Sequence, residues 1–230
     1  MRTSDRHLIR GFPIFRGLSD DAFERLTADA AIFESSPGEL LLREGEKPTW
    51  LFVLLNGLVE AFSRHEGVEA TLSFIRPPGA FIVAAVWTDQ VQLTSIRTVR
   101  ASRVLRIPAE TVRTAIAQNA AVGSGVGLEL AIRYRDILRE LKSQRMRSAT
   151  VRLANWLLAE SEVARSSRFR LEVGKGLLAA RLGMAQEHLS RAFAVLRDHG
   201  VVVQGMEVTV EPEKLADYAK PSVLMDGQDI

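Results

Sequence analysis

The stretch KGLLAARLGMAQEHLSRAFAVL, residues 175–196, reads as two short helices joined by a tight turn. Leu178, Leu182, Leu189 and Ala192 supply an apolar inner face. Ala179 and Gly183, four apart, are small where two helices cross closely and the chain turns. The second helix begins with side chains able to reach base edges: Gln186, Glu187, His188, Ser190 and Arg191. That order suits a helix-turn-helix presenting its second helix to a DNA major groove. An αα-hairpin inside an ordinary core would show the same spacing, so the rest of the chain has to decide.

The 230 residues suffice for one large or two modest domains. A composition 47% hydrophobic and 25% charged is that of a globular chain rather than a disordered one. No apolar run approaches the roughly 20 residues a membrane span needs, and Met1–Gly11 lacks the apolar centre of a signal peptide, so a cytoplasmic protein is expected. The absence of cysteine excludes disulfides, thiolate-held Fe–S clusters and cysteine nucleophiles. The four histidines, at 7, 65, 188 and 199, form no metal-ligand cluster. No GxxxxGK, HExxH or GxSxG motif occurs, which argues against an enzyme. In residues 1–141, 17 Lys and Arg meet 17 Asp and Glu; in residues 142–220, 13 meet nine. A neutral front and a basic back suit a sensor joined to a polyanion-binding unit.

Outward from the opening stretch, Val201–Val203 and Val208–Val210 flank Gln204–Glu207 as a β-hairpin, the wing of a winged helix. Phe169–Val173 reads as a short strand before it, and Val151–Glu160 as a helix. Ile32–Ile107 holds short apolar runs broken by Gly, Pro and charged pairs, the pattern of a β-sandwich or rolled sheet. Arg64–Gly67 marks a hairpin tip, and Pro108 the first position of a helix. A long helix is expected over Ala120–Ser143. Gly123, Gly127, Leu130, Tyr134, Ile137 and Leu141 form an a/d seam on it, read as a homodimer contact. A second stripe, Leu128, Ala131, Ile132, Arg135 and Leu138, is expected to pack on the strands. A central helix buried within a monomer is the alternative. KSQRMRSATVR, residues 142–152, reads as a basic hinge.

The fold expected is therefore α+β. Residues 1–119 form a β-roll sensor domain, 120–146 a dimerisation helix and hinge, 147–220 a winged helix-turn-helix, and 221–230 a frayed tail. In this order the chain resembles the Crp/Fnr superfamily of transcription regulators over about residues 8–215. The resemblance is carried by Gly45-Glu46-Lys47, Asn56-Gly57, Gly79 before Phe81-Ile82, Arg152–Leu158 and Gly183–Arg191. The Glu-x-x-Ser-Arg arrangement of the Fnr-like branch is met by Glu187, Ser190 and Arg191. It implies a two-fold symmetric site with TTGAT-like half-sites, and RNA polymerase as a partner. The chemistry agrees, since carboxylates accept from cytosine N4 and arginine bonds guanine O6 and N7. Gln186 and His188 either tune the site or touch phosphate, and an ordinary exposed role fits His188 equally. Ala185 stands where a capping Ser or Thr is common. Lys142, Arg145, Arg147 and Lys175 are expected to contact phosphates.

Relatives that bind cAMP keep a Gly-Glu pair and an Arg-Ser pair for the ligand; here those positions read Val83-Ala84 and Gln92-Leu93. A phosphodiester needs positive charge and convergent donors, so cAMP is not expected. The effector-pocket candidates are Val83, Ala84, Ala85, Trp87, Gln92 and the nearest arginine, Arg97, suiting a hydrophobic effector or a filled core. Resemblance to the Nnr/Dnr regulators makes haem a candidate, with His7 and His65 the sensor-domain histidines. The reading is a homodimeric, sequence-specific regulator of double-stranded DNA. The alternative is a small-molecule-binding module acting through protein partners.

Overall fold

The computed structural model describes residues 3–227. They divide into two compact units, with the boundary after Arg133. The first opens with helix α1 (Thr3–Arg10), a 3-10 turn (Pro13–Phe15) and helix α2 (Asp20–Thr27). Ser19 caps α2, its Oγ accepting from the Ala22 N–H at 3.3 Å. Phe12, Phe15 and Phe23 are fully buried and meet edge to face, with ring centroids 6.4 and 5.9 Å apart. Asp5 is buried, and Arg103 donates to both its carboxylate oxygens at 2.7 and 2.8 Å, tying α1 to the roll.

Eight strands follow: β1 (Ala31–Ser35), β2 (Leu40–Leu42), β3 (Trp50–Asn56), β4 (Val59–His65), β5 (Val68–Ile75), β6 (Gly79–Phe81), β7 (Ser95–Thr98) and β8 (Ser102–Pro108). They form two four-stranded antiparallel sheets, ordered β1-β8-β3-β6 and β2-β7-β4-β5. Leu51, Val53, Val59, Ala61, Ile96 and Val104 from both sheets join one core. In β3 the whole run Leu51–Leu55 is buried, because helices cover the face turned away from the opposite sheet; alternation is lost when both faces are covered. The expected tip at Arg64–Gly67 closes on Glu66 and Gly67, both at positive φ, as a tight two-residue hairpin requires. Between β6 and β7 lies a short helix, α3 (Val83–Thr88). After β8 comes α4 (Ala109–Gln118); Pro108 ends the strand and caps this helix rather than opening it.

Helix α5 runs from Ala120 to Met146. Its packed face consists of Val122, Gly125, Val126 and Glu129, not the expected stripe; Leu128 and Leu138 are exposed. Gly125 explains the displacement. A Cβ there would overlap the Pro13 carbonyl oxygen and lie 3.0 Å from Ile14 Cα, so α5 presses on the 3-10 turn at its one residue without a side chain on that face.

The second unit adds α6 (Ala149–Ala164), β9 (Arg168–Arg170), α7 (Lys175–Arg181), α8 (Gln186–Arg197), β10 (Val201–Gln204), β11 (Glu207–Val210), α9 (Pro212–Ala219) and α10 (Val223–Asp226). Its sheet is ordered β10-β11-β9. Leu153, Leu157, Leu178, Leu189, Leu196, Val208 and Leu215 are fully buried in this unit. Helix α6 exceeds the expected span at both ends, with Ser148 capping the Val151 N–H at 3.3 Å. The expected frayed tail is not seen over 221–227. Asp226 accepts from both terminal nitrogens of Arg147 at 2.6 Å and from the Ser222 N–H at 2.7 Å. Residues 228–230 lie outside the described residues.

Candidate nucleic-acid interface

Helix α7 ends in a Schellman motif centred on Gly183, at φ +62°. The Met184 N–H reaches the Ala179 carbonyl at 3.0 Å and the Gly183 N–H reaches the Ala180 carbonyl at 3.1 Å. Leu178, Ala179 and Leu182 are buried beneath this turn, as are Leu189, Ala192, Phe193 and Leu196 on α8. The apolar period of α8 thereby decides its outward face. Gln186, Glu187, His188, Ser190 and Arg191 are all exposed on its first two turns. Ala185, the N-cap residue, provides no side-chain bond, so the first N–H groups of α8 stay open.

Three of these side chains, Glu187, His188 and Arg191, make no ion pair or side-chain hydrogen bond among the described residues. Ser190 Oγ donates back to the Gln186 carbonyl at 3.2 Å, which leaves the hydroxyl as an acceptor. The face thus offers a carboxylate acceptor, a hydroxyl acceptor and a forked donor in sequence. This is a pattern suited to the edges of base pairs.

Residues to which the sequence reading gave no role at the site hold this face in place. Arg152, on α6, donates through Nε and Nη2 to the Leu182 carbonyl at 3.2 and 2.9 Å, and through Nη1 to the Arg147 carbonyl at 2.9 Å. A charged fork thus grips the turn between the two helices. Arg181 pairs with Glu140 at 3.0 Å, tying α7 to the last part of α5. Asn155 is buried, and its side-chain amide donates to the Val151 and Ala219 carbonyls at 2.9 and 3.1 Å. The one available signal was an arginine and an asparagine within an otherwise apolar helix, Val151–Leu158.

The expected phosphate contacts separate into two groups. Arg145 is exposed and Lys142 half-buried, and neither has a partner among the described residues. Lys175, at the start of α7, lies over the Phe193 ring with Nζ 5.9 Å from its centroid. Arg147 departs from the set: its side chain is 6% exposed and fully used by Asp226. Burial alone would raise the Asp226 pKa. The Arg147 hydrogen bonds, the Ser222 N–H and the guanidinium charge outweigh it and hold the carboxyl below its ordinary value.

The effector-pocket candidates do not converge. Val83 and Ala85 are buried in the core, whereas Ala84 and Trp87, three apart on a helix, share its outward face. Gln92 Nε2 donates to Thr94 Oγ1 at 2.8 Å. Arg97 is consumed by Glu60 at 2.7 Å and Glu69 at 2.8 Å, over the Phe62 ring. Burial would lower its pKa, but the two carboxylates raise it. These residues do not fit a cyclic phosphodiester. His7 and His65 are both exposed, His65 at the end of β4, and neither offers the enclosed apolar setting that haem takes.

On the seam, Gly123, Gly127 and Leu130 are half-buried, while Tyr134 is 63%, Ile137 65% and Leu141 46% exposed. These three large side chains recur at heptad spacing along the exposed side of α5.

Comparison with known proteins places these two units. The cyclic nucleotide-binding domain family matches residues 33–119, and the Crp-like helix-turn-helix domain family matches residues 151–218. The chain joins a cyclic nucleotide-binding domain to a Crp-like helix-turn-helix domain. Its fold is that of FixK2 from Bradyrhizobium japonicum, at a TM-score of 0.75 and 16% identity, with 84% of this chain and 98% of that one covered. DNR from Pseudomonas aeruginosa superposes with a TM-score of 0.53 at 21% identity, over 95% and 99% of the two chains. Among curated proteins, the potassium channel AKT6 of Arabidopsis thaliana is 29% identical over 129 residues. That match covers 56% of this chain but 14% of the channel's length. Among the described residues no helix is long and apolar enough to cross a membrane.

Proposed function

We propose that this chain is a sequence-specific DNA-binding transcription regulator, active as a homodimer on a palindromic site with TTGAT-like half-sites. The carrying observation is the outward face of α8. Glu187, Ser190 and Arg191 stand exposed, without competing ion pairs among the described residues, on a helix whose turn is gripped by Arg152. Glu187 would accept from cytosine N4, and Arg191 would donate twice to guanine, each worth about 1–3 kcal/mol of discrimination. Gln186 and His188 border that set. Lys142, Arg145 and Lys175 would supply salt-dependent phosphate contacts. The stripe of Tyr134, Ile137 and Leu141 would close on the same stripe of a second copy, giving the two-fold symmetry a palindrome requires. RNA polymerase is the partner such regulators imply. Crp-like regulators are not enzymes, and no catalytic role is assigned. The effector proposed is not cAMP, since Arg97 is paired away and α3 carries no charged side chain.

Gel-shift competition with single-base variants of a TTGAT palindrome tests this reading. Arg191→Ala and Glu187→Ala relax preference at one position each by about 10- to 100-fold, while Lys142→Ala weakens all sequences alike. Full discrimination by Arg191→Ala defeats the residue assignment.

A further inference from the structure

The outward stripe of α8 does not stop at its base-reading end. Ser190, Phe193, Ala194 and Arg197 follow one another at helical spacing and line an open groove whose other wall is β10, Val201 to Val203. Lys175 stands across from them on α7, its ammonium over the Phe193 ring. Neither Lys175 nor Arg197 has an ion-pair partner among the described residues. On the second wall, among the described residues, β10 pairs with β11 alone, so the sheet edge along the groove carries backbone groups without a strand partner.

We propose that this groove is a cradle for the sugar–phosphate backbone of duplex DNA, with Arg197 and Lys175 as its phosphate anchors and the Phe193–Val201 floor against deoxyribose. The inference rests on the proposed function, in which Lys175 already meets phosphate and Ser190 a base edge, and extends it to Arg197 and the apolar floor between them. Charge and geometry both select the occupant. Two free cations bracket an apolar floor, which matches anionic phosphates spaced by apolar sugar faces. Arg197 lies seven residues beyond Ser190, roughly 10 Å along the helix. A major groove is about 12 Å wide. With the Glu187–Arg191 end at the base edges, Arg197 therefore stands at the bounding strand. Contacts of this kind set register and affinity without reading sequence.

The test uses the full chain and a duplex of about 30 base pairs, with affinity measured from 50 to 300 mM salt. Arg197→Gln is expected to weaken binding about fivefold at every sequence and to reduce the slope of log K against log salt by about 0.9. Lys175→Gln behaves likewise, and Arg197→Lys restores the slope. The preference for the cognate palindrome is unchanged in all three. An Arg197→Gln variant with unaltered affinity and slope overturns the cradle, even while Arg191→Ala still loses discrimination. So does a variant that keeps its DNA affinity but loses binding to a polyglutamate probe, because the groove then serves an acidic protein surface. Wild-type chain that binds no duplex at 50 mM salt overturns the proposed function itself, a result distinguishable from either.

Discussion

Two glycines one half-turn apart on α5 should respond to alanine in opposite directions. Gly125 lies where a Cβ would overlap the Pro13 carbonyl oxygen and approach Ile14 Cα to 3.0 Å, both backbone atoms that cannot rotate aside. Among the described residues Gly127 has nothing within 4 Å of the same position. Alanine in a helix interior gains about 1 kcal/mol over glycine. At Gly125 that gain is set against overpacking of about 1–3 kcal/mol, at the upper end because the obstruction is main chain. The net expectation is a loss of about 1–2 kcal/mol for Gly125→Ala and a gain of about 1 kcal/mol for Gly127→Ala. With a urea dependence of about 2 kcal/mol per molar, the midpoints should move by roughly 0.5–1 M downward and 0.5 M upward. Trp50 and Trp87 report on the first unit once Trp156 is replaced by Phe, and low protein concentration keeps association out of the measurement. A Gly125→Ala protein as stable as wild type would refute the account of how α5 is seated. A second readout bears on the seam: if Gly123 and Gly127 let two copies approach closely, Gly127→Ala raises the dimer dissociation constant while stabilising the single chain.

Arg152→Ala should destabilise the second unit by about 2–4 kcal/mol, since charge-assisted bonds to the Leu182 and Arg147 carbonyls are lost and Leu182 O is left without them; Trp156 fluorescence against urea checks this, and a change under 0.5 kcal/mol contradicts the clamp. Asp226→Asn should cost about 2 kcal/mol at neutral pH, discounted from a buried pair because Asp226 remains 23% exposed. The folded Asp226 pKa is depressed, so its contribution is present above the unfolded value of about 3.9 and fades as pH falls through the lower folded value. Thermal melts from pH 7 to 2 should therefore show wild type and Asp226→Asn converging at acid pH, and a gap that persists to pH 2 argues against the ion pair.

Much of the candidate site was legible because it depends on local rules. Gly183 signals a helix C-terminus through its tolerance of positive φ, and the apolar period of Leu189, Ala192 and Leu196 predicts which side of α8 is buried. Exposure of Glu187, Ser190 and Arg191 follows directly. The same rules misplaced the packed face of α5. Leu128 and Leu138 are larger and more apolar than Gly125, yet Gly125 is the residue pressed against the core. Periodicity ranks side chains by hydrophobicity, whereas close packing at that point selected for the absence of one. Arg147 and Arg97 misled for a related reason. A basic residue in a basic segment reads as a free cation, and its consumption by Asp226, or by Glu60 and Glu69, depends on residues 79, 37 and 28 positions away.

The sequence alone thus determined the order of parts: a rolled β-unit, a long helix, and a winged helix-turn-helix whose second helix presents a polar face. Each is written in short-range features, namely strand length, heptad spacing, a C-terminal glycine and a hairpin turn, that act within about ten residues. The tertiary structure decided which charges remain available. Among the described residues Arg191, Arg197 and Lys175 stay unpaired, Arg147 and Arg97 are spent internally, and Arg152 becomes the clamp on the turn. Charge pairing acts through space at a few ångströms, between segments the chain brings together only when it folds, so no pattern along the sequence records it.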